Sequence, residues 1–267
     1  MIKLIAVDMD GTFLNSMMDY NRERFKRLYK EMKEKGIHFV VASGNQYYQL
    51  RSFFPNIQNE IAFVAENGAY IVNEKKPLFC AELEHHKVLH MIHVLEKENR
   101  KYFIMCGEKS AYIHNDTNEE FKNEVAKYYH KLQLVDDLKA VDDKIFKFCA
   151  DFVDNDIDEV VSNLSSKMKD IMVPVSTGHS GIDFIIPNIH KAHGIKKLQE
   201  LWGIKDEEVM AFGDSANDLE MLEHAGYGVA MKNAHPKVKE VANYETGSND
   251  EDGVLNKIEE MLNKMDS

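Results

Sequence analysis

Short apolar runs closed by polar, glycine-bearing turns punctuate the chain at Leu4 to Val7, Ile37 to Ala42, Ile61 to Ala65 and Val209 to Phe212. Such runs are too short for helices and partly β-branched, which predicts strands buried on both faces. Between the first two, Phe25, Leu28, Tyr29 and Met32 recur at helical spacing and Gly36 stops the helix. Later, Lys191-Ala-His-Gly194 opens a helix running to Trp202, and Gly226 to Met231, a helix after Pro236 and an amphipathic helix from Gly253 to Lys264 complete the chain. Strands alternating with helices predict an α/β fold, a parallel sheet with helices on both faces. Ligands bind such sheets beyond the carboxyl ends of the strands, so the polar turns should face one crevice.

After Glu66-Asn67-Gly68-Ala69 and a short strand at Tyr70 to Val72, the rhythm changes near Glu82. A helix from His85 to Asn99 precedes strands at Tyr102 to Cys106 and Ala111 to His114. A helix from Asn118 to Tyr129, a strand at Ile145 to Ala150, a helix from Ile157 to Ser166 and strands at Ile171 to Val175 and Gly181 to Ile186 follow. Helices and hairpin-like strands grouped this way predict a separate α+β module, residues 83–186, inserted into a core made of 1–82 and 187–267.

A chain of 267 residues is long enough for two such units. With 44% hydrophobic and 29% charged residues it belongs to the soluble globular class. The formal charge of -12 argues against a nucleic-acid or anionic-membrane surface. An anionic ligand must then be held by local groups. Cys80, Cys106 and Cys149 form no Cys-x-x-Cys pair and fit reduced core thiols, an expectation of a cytoplasmic protein. The first residues read as a strand and not as a charged-then-apolar stretch, so no signal segment is expected, and no apolar run is long enough to cross a bilayer.

The chemistry gathers at the turns. Asp8 and Asp10 end the first strand two residues apart, so an extended backbone aims both carboxylates into one volume. They form either an acidic, solvated turn or half of a site for a hard divalent cation such as Mg²⁺. Ser43-Gly44-Asn45, between a strand and a helix, is an N-cap or a phosphate cradle at the helix N-terminus. Lys191 in a first helical turn is either solvated or paired with an anion in the crevice. Asp214 and Asp218 lie four apart, so if the helix starts there they share a face, where a metal or the Lys191 ammonium would offset their repulsion; the alternative is a helix N-cap with acidic first-turn residues. His86, His90 and His93 share one helix face, but without a supporting cysteine or zincin pattern they read as a half-solvated surface.

Asp8-Met-Asp-Gly-Thr12, Ser43-Gly44, Lys191 and Gly213-Asp214-Ser-Ala-Asn-Asp218 occur in the order and spacing of the four motifs of the haloacid dehalogenase superfamily phosphatases. With the insert placed between the second and third motifs, and with Ala65-Glu-Asn-Gly-Ala69, the whole chain resembles the Cof-type group, subclass IIB. The run Val40 to Leu50 is most similar to the bacterial sugar phosphatases of that group. The resemblance implies a Rossmann-like core with a C2-type α+β cap that reads the substrate. It implies Mg²⁺-dependent hydrolysis of sugar phosphates through an aspartyl phosphate on Asp8, with Asp10 as general acid and base. Asp8, the Asp10 carbonyl and Asp214 are then the metal ligands. Ser43, Gly44, Asn45, Lys191 and Asn217 are the substrate-binding residues, and Thr12 and Asp218 support them, Asp218 by orienting Lys191. Many Cof-type proteins carry arginine where this chain has Asn45. The expected partner is a small phosphorylated sugar, with no nucleic acid and no membrane, for a monomer or weak homodimer. A phosphosugar mutase is the nearer rival reading and a receiver-like phospho-aspartate module a rival of another class. A dinucleotide-binding oxidoreductase ranks last, since no Gly-x-Gly-x-x-Gly follows the first strand.

Overall fold

The computed structural model describes residues 1–97, 102–151, 157–168, 170–176 and 181–265. The chain begins with β1 (Leu4–Val7), α1 (Arg22–Glu34), β2 (His38–Ala42), α2 (Tyr47–Leu50), β3 (Ala62–Ala65), β4 (Tyr70–Asn73) and β5 (Lys76–Cys80). There follow α3 (His85–Lys97), β6 (Phe103–Gly107), β7 (Ala111–His114), α4 (Glu119–Tyr128), β8 (Leu132–Val135), β9 (Ile145–Asp151), α5 (Ile157–Lys167), β10 (Val173–Ser176) and β11 (Gly181–Ile185). The chain closes with α6 (Lys191–Trp202), β12 (Val209–Gly213), α7 (Leu219–His224), β13 (Tyr227–Ala230), α8 (Pro236–Val241), β14 (Tyr244–Glu245) and α9 (Gly253–Met265). Among the described residues no helix is long and apolar enough to cross a membrane. The expected end of α3 at Asn99 falls outside the described residues.

Eight strands form one sheet in the order β14-β13-β12-β1-β2-β3-β4-β5. From β14 to β3 every pairing is parallel, and the central β1 is fully buried, as its apolar run predicts. Phe25 of α1 packs on Phe39 of β2 at a centroid distance of 4.9 Å. Val64 is in register with Ala42, three residues beyond Phe39, an odd separation, and so faces the other way. There Gly194 of α6 meets it, with no room for a Cβ, which would lie 2.3 Å from Val64. Helices therefore cover both faces.

The sheet is not parallel throughout. Glu66, Asn67 and Gly68 take φ of +52°, +55° and +91°, which reverses the chain in a space too short for a parallel crossover, and β4 and β5 pair antiparallel. Glu74 and Lys75, both with positive φ, close the second hairpin. Pro77 is tolerated because β5 is an edge strand.

The remaining strands form a six-stranded sheet in the order β10-β11-β9-β6-β7-β8, antiparallel except for the β7 and β8 pair. One face packs Phe103, Met105, Phe148, Ile182 and Phe184 against Val88, Met91, Ile92 and Leu95 of α3 and Leu164 of α5. The other face turns toward the first sheet. The strand expected from Ile171 starts at Val173, because the Ile171 and Met172 N–H groups close the turn after α5 by bonding the Met168 carbonyl. His86, His90 and His93 are all exposed. The three cysteines are free thiols, Cys106 buried, Cys80 and Cys149 half-buried.

Candidate active site

The turns at the carboxyl ends of β1, β2, β3 and β12 converge under the second sheet. Lys191, the first residue of α6, is completely buried and donates to Asp8 Oδ1 at 2.6 Å and Asp218 Oδ1 at 2.7 Å. Burial works against its charge, but Asp218 and Asp8 more than offset that and raise its pKa. A buried ammonium with two carboxylate partners remains ionised at neutral pH.

Asp218 does more than hold Lys191. Its Oδ2 accepts from the N–H groups of Asp214 and Ser215 at 3.0 and 3.1 Å, and it ends a 3₁₀ turn, Ala216–Asp218, before α7 begins at Leu219. The helix does not start at Asp214, so the condition under which Asp214 and Asp218 would share a helix face is not met. The loop is closed by side-chain bonds to its own backbone, an alternative to helix that aspartate offers.

Asp214 accepts from Thr12 Oγ1 at 2.9 Å. Gly11, with φ +73°, lies directly against it, since a Cβ there would sit 2.6 Å from Asp214 Oδ2. Oxygens of Asp8, Asp214 and Asp218 lie within 4.8 Å of one another. Burial and the neighbouring Asp218 push the Asp214 pKa up to about 6, and burial with Asp218 pushes Asp8 well above the carboxylate range, more than Lys191 draws it back. Three carboxylates against one ammonium leave negative charge uncompensated. With Asp218 already satisfied, Asp8 and Asp214 fit a hard cation with oxygen ligands.

Asp10 accepts from Asn45 Nδ2 at 2.6 Å, and the Asn45 N–H bonds Ser43 Oγ at 3.1 Å. This turn is not the start of a helix, as the sequence suggested. Gln46 occupies the N-cap position of the short α2, so Ser43, Gly44 and Asn45 stand clear of it. The Gln46 side chain instead clasps the residue before β8 of the second sheet, donating to the Lys131 carbonyl and accepting from its N–H, both at 2.8 Å.

A cavity of about 380 Å³ separates the sheets. Asp8, Asp10, Ser43, Gly44, Asn45, Ser215 and Asn217 line its floor; Ile104, Phe121, Val125, Tyr128, Tyr129, Lys147 and Asp183 line its roof. Thr12, Lys191, Asp214 and Asp218 lie outside this lining, with Lys191 reaching it through Asp8.

Four further residues went unassigned in the sequence. Lys147, 1% exposed, donates to the Gly44 carbonyl at 2.6 Å and meets Glu66 Oε2 at 2.7 Å and Asp183 Oδ2 at 3.5 Å. Asn67 Nδ2 donates to Asp183 Oδ2 at 2.5 Å, and Asn217 Nδ2 to Asn67 Oδ1 at 3.1 Å. The available signal was a charge inside an apolar strand, Lys147 between Phe146 and Phe148 and Asp183 between Ile182 and Phe184.

Residues 5–258 match the haloacid dehalogenase-like hydrolase family, and the chain belongs to it. The Cof-type resemblance, carried by the insert between the second and third motifs and by Ala65-Glu-Asn-Gly-Ala69, is borne out. The chain is 49% identical over 261 residues to the Escherichia coli (strain K12) 5-amino-6-(5-phospho-D-ribitylamino)uracil phosphatase YbjI, covering 98% of this chain and 96% of that protein. It is 30% identical over 257 residues to the Bacillus subtilis (strain 168) phosphatase of the same name, YcsE, covering 96% and 94%. The solved structure of a Streptococcus mutans UA159 protein superimposes with a TM-score of 0.93 at 34% identity, covering 98% of this chain and 99% of that one.

Proposed function

We propose that this chain is a Mg²⁺-dependent phosphomonoesterase for phosphorylated sugars and sugar alcohols. The observation that carries the reading is the Asp8 carboxylate on the cavity floor, held by a buried Lys191 beside Asp214. Two relatives are phosphatases of a phosphorylated ribitylamino-pyrimidine. That ester is a sugar-alcohol phosphate joined to a flat heterocycle, so it heads the proposed substrates. The roof supplies an aromatic wall at Phe121 and Tyr128 against which such a ring would pack.

Asp8 attacks phosphorus while the ester oxygen leaves with a proton from Asp10, giving an aspartyl phosphate. Asp10 then takes a proton from water, whose oxygen attacks the same phosphorus, freeing inorganic phosphate and restoring Asp8. Asn45 holds the Asp10 carboxylate in place for both transfers. The Ser43 hydroxyl, the Gly44 N–H and the Asn217 amide hold phosphate oxygens, and Lys191 offsets the charge of Asp8 as it nears an anion. Asp8, the Asp10 carbonyl and Asp214 would hold Mg²⁺, which supplies further neutralisation of the phosphoryl oxygens when bound. Residues 83–186 act as the cap, excluding water and reading the leaving group, while the core carries the chemistry.

The test is phosphate release, with Mg²⁺ and with excess chelator, from 5-amino-6-(5-phospho-D-ribitylamino)uracil, ribitol 5-phosphate, hexose phosphates and non-sugar esters. The expected kcat/KM is highest for the ribityl ester, and chelator abolishes turnover. Preference for non-sugar esters would overturn the substrate class, and transfer of phosphate to another sugar hydroxyl would make the protein a mutase.

A further inference from the structure

Lys147 belongs to the inserted unit and lines the cavity's roof, yet its ammonium reaches down to the carbonyl of the floor residue Gly44. A register shift between Cys106 and Gly107 marks a bulge opposite Phe146. A bulge places two successive side chains toward one side of a sheet. Phe146 accordingly packs with the first unit's core and Lys147 reaches Gly44 and Glu66.

The Ser43-Gly44-Asn45 turn has its three carbonyls tied down on one side. Ser43 O accepts from the Asn67 N–H at 3.0 Å, Asn45 O from the Glu66 N–H at 3.2 Å, and the middle one, Gly44 O, from Lys147 Nζ. In a trans peptide the N–H points opposite the carbonyl. Fixing Gly44 O therefore fixes the Asn45 N–H, which in turn bonds Ser43 Oγ and leaves that hydroxyl's proton to donate elsewhere. A second arm runs from Lys147 to Asp183, from Asp183 to Asn67, and from Asn67 to Asn217. Asp183 also sits so close that a Cβ on Gly44 would lie 3.1 Å from its Oδ2.

We propose that Lys147, with Asp183, is a positioning residue through which the inserted unit sets the geometry of the phosphate-holding groups Ser43, Gly44 and Asn217. The proposal rests on the reading of those three as the phosphate cradle. Its consequence is that the inserted unit contributes to phosphate affinity for every ester, as well as to the choice of leaving group.

The experiment compares wild type with Lys147→Met, Lys147→Arg and the double variant Lys147→Met/Glu66→Gln, which avoids stranding the Glu66 charge. Competitive inhibition by inorganic phosphate and KM for both p-nitrophenyl phosphate and the ribityl ester are measured, with thermal melts as a check on folding. In Lys147→Met and the double variant all three constants rise together by about tenfold, the loss of one charge-assisted hydrogen bond, and Lys147→Arg recovers part of it. Unchanged phosphate inhibition in the folded double variant, or a loss confined to the ribityl ester, would overturn the proposal. Ser43→Ala and Asn217→Ala separate the two failures. If they weaken phosphate inhibition and the Lys147 variants do not, only the positioning role falls. If they leave it unchanged, the cradle itself has been misplaced.

Discussion

The side-chain amide of Asn45 donates to Asp10 Oδ2 at 2.6 Å, joining the turn after β2 to the second carboxylate of the turn after β1. A neutral amide orients that carboxylate without an opposite charge, which suits the proposed role of Asp10 as both proton donor and acceptor. Asn45→Ala should lower kcat by about tenfold, the worth of one hydrogen bond to a charged group, with a smaller change in KM. Asn45→Asp should be worse, because a like charge at that distance raises the pKa of its neighbour. Steady-state kinetics over a range of pH checks both. Wild-type kcat in both variants would show that orientation of Asp10 does not limit turnover.

Gly11 is required twice over, by its φ of +73° and by Asp214 in the space a Cβ would fill. Gly11→Ala should cost about 1–3 kcal/mol from backbone strain and also weaken Mg²⁺ binding by displacing Asp214. Gly203 is the control, since it has φ +65° and nothing within 4 Å of a Cβ. Gly203→Ala should destabilise through strain alone and leave Mg²⁺ affinity unchanged. Denaturant unfolding and calorimetric Mg²⁺ titration of the two variants test this. Equal Mg²⁺ affinities would remove the steric argument.

Legibility in the sequence tracked burial. Leu4–Val7 and Val209–Gly213 are buried at every position and stand out as apolar runs. Strands β5, β8 and β14 lie at sheet edges with exposed residues such as Leu78, Leu134 and Tyr244, so their patterns resemble loops. The four motifs were legible because three sit in turns after strands and Lys191 opens a helix, places where a charged residue, or a small hydroxyl beside a glycine, is conspicuous. The geometry behind them was less so. Neither the bond from Asp218 to its own loop nor the distant partnership of Lys147 with Gly44 follows from local spacing. A lysine in a strand reads as a surface residue until the fold brings Glu66 and Asp183 to it.

Mg²⁺ binding should depend on pH through Asp214. Burial and Asp218 raise its pKa in the folded chain to about 6, from 3.8. Between those values the folded protein holds a proton that the unfolded chain has lost, so metal-free stability falls as pH rises through this window. A cation needs the ionised carboxylate. Through Asp214 alone, Mg²⁺ affinity should therefore level off above about pH 6 and fall below it, approaching tenfold per pH unit for one displaced proton. Asp8, also raised, adds to the effect in the same direction. Calorimetry in buffers of different ionisation enthalpy would show the proton released below pH 6. Affinity that is constant from pH 5 to 7 would mean that the site is already ionised.

The two carboxylates of the first turn should separate by trapping. Asp8→Asn removes the attacking oxygen anion, so turnover and covalent labelling both vanish. The fold should survive, because burial and Asp218 already disfavour a charged Asp8; the metal-free variant should melt no lower than wild type. On the proposed mechanism, Asp10→Asn leaves the nucleophile and removes the group that activates water. With an ester whose leaving oxygen is a weak base, the first step needs little protonation while the second is slowed whatever the ester. An activated aryl phosphate should thus leave the Asp10→Asn protein phosphorylated on Asp8, seen by intact mass and by peptide mapping after reductive trapping. Label on Asp10 in the Asp8→Asn protein would reverse the two roles. Absence of any label in wild type under rapid quench during turnover would point instead to direct attack by water.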